Sequence, residues 1–244
     1  MSDRPDVDAL TAPMPADRRA VGEAIATRHS VRGFLPTPVP RETVAAILAL
    51  AARAPSGSNV QPWKVFVCNG AVRQTIVSAT LKAQAEEPDQ HTSAYDYYLQ
   101  TWREPYLARR RTTGWGLYGT LGLEKSNKAG IQRQVARNFE FFGAPVGLFF
   151  TLEHDMQKGA WLDCGMFIQT IMIAARGFGL DTCAQQAWAS FHRVVKPILA
   201  IPDHEILVCG MALGHSDPEA PANRFWTGRE PVDTFTSFQG FDGP

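Results

Sequence analysis

The stretch that decides the fold reads RHSVRGF at residues 28–34 and, after a helix-like run, PSGSNVQPWKVFV at residues 55–67. The first piece places two guanidiniums, an imidazole and a hydroxyl within five residues: Arg28, His29, Ser30 and Arg32. Arginine presents planar, charged forks to phosphate oxygens, so this cluster suits a phosphate and a polyol chain. The second piece is a polar loop, tight enough to need Gly57, and its amides can bind the edge of a flat heterocycle.

These two pieces, in this order, resemble the motifs of the nitroreductase family of flavoproteins. By itself, the first piece would be interpreted as the basic end of a helix. The pair of motifs, joined by a helix of the right length, is much more specific. The resemblance spans residues 18–238 and implies a bound FMN, a homodimer, and electron transfer from NADPH or NADH to a small oxidised aromatic acceptor.

The resemblance also assigns residues to the cofactor. The family's R-x-S-x-[RK] signature matches Arg28, Ser30 and Arg32, which would hold the FMN phosphate, ribityl chain and ring edge, while His29 contributes mostly backbone. In the family, the P-S-x-x-N-x-Q-P-W loop reaches the flavin of the other subunit, which makes each site composite. The residues assigned to this loop are Pro55, Ser56, Gly57, Ser58, Asn59 and Gln61.

Two later segments complete the predicted FMN site. Gln186 and Ala187 match the family segment whose backbone N–H lies near the flavin N5 atom. Many relatives have an acidic residue and a glycine there, so the departure leaves the side-chain role open. Arg224 matches the family's late phosphate-binding arginine. Three arginines would thus neutralise a dianionic phosphate, and a cation near the flavin ring would stabilise its reduced, anionic form.

Composition excludes several classes of protein. The chain has 244 residues, 24 Lys plus Arg and 24 Asp plus Glu, so its formal net charge is zero. A nucleic-acid-binding protein usually shows a basic excess. No apolar stretch approaches the roughly 20 residues of a membrane span, and the acidic, Pro-rich N-terminus is unlike a secretory signal. We therefore expect no nucleic acid and no membrane as partner, and a cytoplasmic location.

The four cysteines also favour a reducing compartment. Cys68, Cys164, Cys183 and Cys209 lie far apart in apolar surroundings, with no C-x-x-C and no His or Cys at metal-ligand spacing. We interpret them as buried free thiols rather than as a redox-active pair, and we predict no metal site.

The order of elements predicts one α+β domain. Helices are indicated over 17–27, 41–54, 72–85, 131–142, 161–176 and 190–200, and strands over 65–68, 146–152, 180–184 and 206–213. We expect a central mixed or antiparallel sheet flanked by helices. The resemblance implies the same architecture, assembled as an intertwined homodimer. Residues 1–15 are predicted as a flexible arm, and residues 16–244 as a single FMN-binding domain. The apolar helix over 161–176 must be buried centrally or lie across a subunit interface.

Residues 86–130 are aromatic and basic, and their apolar periodicity is poor. They contain all five tyrosines of the chain. This segment is either a surface excursion sealed by its own aromatics or a lid over a flat, anionic aromatic substrate. For the lid, the candidate substrate residues are Trp102, Arg103, Trp115 and Tyr118, since arginine pairs with carboxylate.

The implied activity is an FMN-dependent NAD(P)H nitroreductase that reduces nitro compounds to hydroxylamines by ping-pong two-electron transfers. The arginine-rich segment and the tail are similar to bacterial reductases of nitrobenzoate type. No side-chain nucleophile has a relay partner, so we assign no catalytic acid, base or nucleophile. The alternatives are other reactions of the same fold (reductive dehalogenation, quinone or enone reduction, flavin fragmentation, heterocycle oxidation) or a non-catalytic flavin-binding protein.

Overall fold

The computed structural model describes residues 4–241 and builds them around one four-stranded sheet. The strands are β1 Lys64–Cys68, β2 Val146–Glu153, β3 Asp181–Gln185 and β4 Glu205–Gly214, in the order β1-β2-β4-β3. Every pair is antiparallel, so of the two predicted arrangements the antiparallel one is formed.

Nine helices surround the sheet within the described residues. They are α1 Val7–Thr11, α2 Arg19–Thr27, α3 Arg41–Ala51, α4 Gly70–Glu86, α5 Tyr106–Thr120, α6 Lys128–Ala136, α7 Lys158–Gly177, α8 His192–Ile198 and α9 Val232–Phe235. Short 3-10 turns link several of them, including Arg137–Gly143, Gln186–Phe191 and Pro221–Arg224.

Strand β2 is buried on both faces, which is typical of a strand with a nearly continuous apolar sequence. Leu148, Phe150 and Leu152 face α3 and α7 in one core cluster. Phe149, between them, faces α4, α8 and the aromatic side chains of the second cluster. Alternation along the strand therefore divides the core into two layers, with the sheet between them.

A β-bulge interrupts the pairing of β2 with β4. Phe150 pairs with Cys209, but Thr151 pairs with Leu207, so Val208 has no partner in β2. The pairing of β3 with β4 ends at Gln185 and Gly210. Val208 is thus left without a strand partner on either side, and a bulge of this kind often lies next to a functional site.

The helix predicted over 131–142 is wrong at its C-terminal half. Helix α6 ends at Ala136, and a 3-10 turn follows in which Phe141 and Phe142 both have φ +53°. Left-handed backbone is costly for such residues, yet both rings are buried. Phe141 lies directly against Gly147 of β2, where a Cβ atom would come within 2.4 Å of its ring. The turn therefore packs these aromatic rings against the sheet, whereas a straight helix would place them elsewhere.

Other boundaries differ from the prediction by a few residues. The helix predicted over 190–200 is formed by α8, which begins at His192, and residues 186–191 form a 3-10 turn. In the segment 86–130, α5 is a 15-residue helix without a buried residue, which explains its poor apolar periodicity.

The predicted N-terminal arm contains α1, whose first turn Asp6 caps. Helix α1 packs on α2, and the side chain of Thr11 is buried. Residues 1–3 lie outside the described part, so the flexibility of the arm stays a prediction. Among residues 4–241, no helix combines the length and the hydropathy that crossing a bilayer requires.

Candidate functional site

The segment Arg28–Phe34 lies between the start of β3 and the C-terminal tail. The amide of Val31 donates to the carbonyl oxygen of Thr182 at 3.1 Å, and Phe34 forms an isolated antiparallel bridge with Ser216. The amide of Leu35 donates to the carbonyl of His215 at 2.9 Å. These bonds fix the backbone of the predicted phosphate-binding motif to the edge of the sheet.

Asn223 holds the tail against this segment. Its Oδ1 accepts the Arg32 amide at 2.7 Å, and its Nδ2 donates to the carbonyls of Gly33 and Asp217, both at 2.8 Å. The tail packs so closely that a Cβ at Gly33 would lie 2.3 Å from Cβ of Ala220. Glycine is therefore required at position 33 for this close approach.

The segment and the tail bring together a cationic cluster of Arg28, Arg32 and Arg229. Arg224, also in the tail, is exposed, and no hydrogen bond or ion pair in residues 4–241 joins it to this cluster. Burial, followed by the charge of Arg229, lowers the pKa of the half-buried Arg28 guanidinium. Within residues 4–241, none of the four arginines forms an ion pair with a carboxylate. Like charges gathered without a counter-ion favour binding of an anion with several oxygens.

The side chain of His29 lies beside this cluster. Its ring packs against Trp226 at a tilt of 31° with a centroid distance of 4.2 Å, and its Nδ1 lies 3.3 Å from the Thr27 carbonyl. The Nε2 atom is buried and, in the described part of the chain, has no hydrogen-bond partner. Burial lowers the pKa of His29, more than the Thr27 carbonyl and Asp181 raise it. Because the Thr27 carbonyl only accepts, Nδ1 carries the proton of the neutral ring and Nε2 is an acceptor. A buried polar atom without a partner is costly, and a ligand hydroxyl that donates to Nε2 would satisfy it.

The loop Pro55–Gln61 lies elsewhere, at the N-terminal part of α7. The amide of Gly57 donates to Oδ2 of Asp163 at 3.1 Å. Ser58, Asn59 and Gln61 have φ of +49°, +56° and +50°, a left-handed conformation that is costly for side chains other than glycine. No hydrogen bond or ion pair among the described residues joins this loop to Arg28–Phe34. The two motifs are therefore not joined by a polar contact in the described part of the chain.

Gln186 and Ala187 follow directly after β3, in the 3-10 turn Gln186–Phe191. They line a cleft of about 450 Å³ together with residues of the 86–100 segment, among them Tyr95, Tyr97 and Tyr98. The hydroxyl of Tyr95 lies 2.7 Å from Oε1 of Gln186. Sequence reasoning missed Tyr95 because nothing in its local pattern separates it from its neighbouring tyrosines.

The predicted substrate residues are dispersed along the segment 86–130. Trp102 stacks under the guanidinium of Arg110 at 4.5 Å, Arg103 lies over Tyr106 at 5.5 Å, and Trp115 contacts Lys125. Tyr118 alone of the four lines a small cavity with Arg32. The basic and aromatic side chains of this segment thus largely contact one another, and none of the four lines the cleft at Gln186.

A larger cavity, of about 810 Å³, separates α5 from the tail. Arg109 and Glu230 form an ion pair of 2.9 Å across it, and Arg229 and Phe225 line it. Arg229 was another residue that the sequence did not indicate, because its relation to Arg28 depends on the fold of the tail.

The comparisons with known proteins agree with these observations. The family model described as the nitroreductase family matches residues 25–215. The chain belongs to the nitroreductase family. A 4-nitrobenzoate reductase of Pseudomonas putida is 40% identical over 222 residues, which cover 89% of this chain and 95% of that protein. One from Nocardioides sp. (strain LMS-CY) is 42% identical over 214 residues, 86% of each chain.

Solved structures of the nitroreductase family confirm the predicted fold. The crystal structure of an FMN- and NADPH-dependent nitroreductase from sphigopyxis sp. strain HMH has a TM-score of 0.88 and 38% identity. The match covers 91% of this chain and 99% of that one. The resemblance inferred from the motifs at residues 28–34 and 55–67 is therefore confirmed.

Proposed function

We propose that this nitroreductase binds FMN, oxidises NADPH or NADH, and reduces nitroaromatic compounds to hydroxylamines. The observation that carries the proposal is the arginine cluster around Arg28, which has no carboxylate partner and lies beside the unsatisfied Nε2 of His29. Relatives covering most of the chain are nitrobenzoate reductases, and a structural relative is FMN- and NADPH-dependent.

The residues present fit FMN. Its phosphate carries up to two negative charges, which Arg28, Arg32 and Arg224 would neutralise, with Arg229 as an additional cation. His29 Nε2 would accept from a ribityl hydroxyl, and the Ser30 hydroxyl would bind a phosphate or ribityl oxygen. Gln186 and Ala187 would lie at the reactive edge of the ring. Bound FMN would supply the two-electron transfer from nicotinamide to the nitro group, so the protein needs no nucleophile of its own.

The acceptor is expected in the cleft beside Gln186 and under the segment 86–130, which we propose is a lid inserted in a single domain over 16–244. Trp102, Trp115 and Tyr118 do not line this cleft in the structure, so they would offer rigid apolar area to an aromatic ring only when the lid closes over it. Arg103 is exposed and has no carboxylate partner in the described residues, so it is free to pair with the carboxylate of a nitrobenzoate. Arg109 is less suited, because Glu230 already neutralises it.

We further propose a homodimer with composite sites. Helix α7 buries one face on the sheet but exposes Leu162 by 71% and Met166 by 40% on the other. The loop Pro55–Gln61 is exposed and held in a strained conformation away from Arg28. A second copy that covers the exposed face of α7 would explain both features, because the loop is anchored on that helix.

A cytoplasmic location is part of the same proposal. All four cysteines are free and buried, as predicted. Burial raises the pKa of Cys68 and of Cys164 to about 12. Such thiols are inert and are typical of proteins in reducing compartments.

The test begins with a visible absorbance spectrum of the purified protein. Two flavin bands that bleach on anaerobic addition of NADPH and return on addition of 4-nitrobenzoate would support cofactor, donor and acceptor together. Arg28→Ala should weaken FMN affinity by about 10- to 100-fold, since a charge-assisted phosphate contact is lost. Arg41→Ala, an exposed residue of α3, is the control. A protein that cannot be reconstituted with FMN would refute the proposal.

Specificity is tested separately. If a lid arginine binds the substrate carboxylate, kcat/KM for 4-nitrobenzoate should exceed that for nitrobenzene by at least about tenfold, and Arg103→Ala should abolish the difference. Equal values for the two substrates would refute the carboxylate site without affecting the assignment as an FMN enzyme.

A further inference from the structure

Tyr95 connects the 86–105 segment with the sheet. Its ring meets Trp161 of α7 edge-on with a centroid distance of 4.5 Å, and its hydroxyl points between β4 and the turn after β3. The hydroxyl oxygen lies 2.5 Å from the Val208 carbonyl oxygen and 2.7 Å from Oε1 of Gln186. Burial raises the pKa of this phenol far above its usual range, so the hydroxyl keeps its proton.

Both neighbours are placed as acceptors, but a phenol has only one proton to donate. Val208 is the bulged residue of β4, with no strand partner in β2, and β3 ends before reaching it. A backbone carbonyl cannot change its chemistry, whereas the amide of glutamine can rotate to exchange its oxygen and nitrogen. The arrangement that satisfies all three groups therefore has the nitrogen of Gln186 facing Tyr95.

We propose that Tyr95 donates its proton to the Val208 carbonyl and accepts an N–H from Gln186, and so positions Gln186 with its side-chain oxygen presented to the cleft. The cleft is the one of about 450 Å³ lined by Gln186, Ala187 and the tyrosines. Tyr95 is thus a positioning residue, and the residue that it orients offers an acceptor.

The consequence for turnover rests on the proposed function. A hydrogen-bond acceptor at position 186 favours a ligand that carries N–H donors, such as the carboxamide of a reduced nicotinamide. A nitro group carries acceptors only, so the fixed oxygen gives it no hydrogen bond. The positioning of Gln186 should therefore matter for the half-reaction with NADPH and not for reoxidation by the nitro compound.

A double-mutant cycle tests the position of the proton. At about pH 8 a glutamate side chain at position 186 has no hydrogen to donate. In Gln186→Glu the single proton of the Tyr95 hydroxyl would therefore lie between two acceptors, and Tm should fall by about 2–6 °C. In the Tyr95→Phe background, Gln186→Glu should lower Tm by clearly less. Tyr106→Phe and Gln132→Glu, at exposed positions, are matched controls for the two chemical changes. The proposal is overturned if Tyr95→Phe and Gln186→Glu lower Tm additively, or if Gln186→Glu raises Tm when Tyr95 is present.

Two further measurements test the position of Gln186 independently of the changes in Tm. In the unmutated protein, one side-chain N–H of Gln186 should be protected from hydrogen exchange, and Tyr95→Phe should remove that protection. In stopped-flow experiments, Tyr95→Phe should slow flavin reduction by NADPH about fivefold or more and leave reoxidation unchanged. Equal slowing of both half-reactions would overturn the positioning role. Because the Tm cycle and the exchange need no flavin, a failure of the proposed function would be recognised separately.

Discussion

At the scale of the residue, Asn223 has the largest structural role in the site. It satisfies the backbone of Arg32, Gly33 and Asp217 with one side chain, and a change to alanine would leave part-buried donors and acceptors unpaired. We expect Asn223→Ala to reduce the free energy of unfolding by about 2–3 kcal/mol and Tm by about 5–10 °C. Denaturation in urea measures the change in the free energy of unfolding.

Asn223→Asp is a second test of that prediction. Aspartate keeps the oxygen that accepts the Arg32 amide, but it lacks the two N–H groups that donate to the carbonyls of Gly33 and Asp217. It should therefore destabilise the protein too. If both variants unfold like the unmutated protein, the clamp contributes nothing and the tail is held by other contacts.

The titration of His29 sets a second residue-scale prediction. Burial lowers its pKa, and that of His192, below the usual value of about 6.5. The unfolded chain then binds more protons than the folded one just below that pH, so stability falls as the pH drops through about 6.5.

His29→Phe should flatten this loss while keeping a ring against Trp226. The measurement is urea denaturation of the FMN-free protein at about pH 7.5 and about pH 5.5, on either side of the usual histidine pKa. An unchanged difference between the two pH values in the variant would contradict the assignment to His29.

The sequence revealed the residues whose chemistry is concentrated locally. Arg28, Ser30 and Arg32 stand within five positions, and the structure brings them to one site. Asn223, Arg229 and Tyr95 could not be predicted, because each acts on a residue that is distant in sequence and close only after folding.

At the scale of the element, the end of helix α7 depends on Gly179. Its φ is +68°, a left-handed conformation, and nothing lies within 4 Å of the position that a Cβ would take. Gly179→Ala should therefore destabilise the protein through backbone strain alone. We expect the free energy of unfolding to fall by about 1 kcal/mol and Tm by about 2–4 °C.

The matched control is Gly159→Ala, at the start of the same helix, where a Cβ also meets nothing and φ is not positive. That change should be neutral or stabilising, because alanine favours helix over glycine. Equal thermal shifts for the two variants, measured by calorimetry, would contradict the argument from strain.

Elements with a clear period were predictable, and those shaped by tertiary packing were not. The apolar run of β2 and the periodic face of α3 gave correct types and approximate bounds. The helix over 131–142 failed at Phe141 and Phe142, because the apolar pattern records that both rings are buried and not that the backbone turns left-handed to bury them.

At the scale of the whole molecule, the exposed face of α7 should determine assembly. Met166→Asp places a charge on the proposed interface, and burial of an unpaired charge is costly. We expect a monomer in light scattering, together with at least about a tenfold loss of FMN affinity, because the partner's loop would be missing.

Ala71→Asp is the control for assembly. It places the same charge in the first turn of α4, across the sheet from α7, where acidic residues are tolerated. This variant should remain dimeric and bind FMN normally. A Met166→Asp protein that stays dimeric with full FMN affinity would show that the interface lies elsewhere.

The hydrogen bonds of Asn223 have a consequence for how the protein is made. The Arg28–Phe34 segment leaves the ribosome early, but the amide that Asn223 satisfies lies 191 positions before it in the chain. The Arg28–Phe34 segment must therefore wait for the tail through most of translation. We expect cofactor loading to be a late, post-translational event, so a ribosome stalled before codon 223 should carry a nascent chain that does not retain flavin.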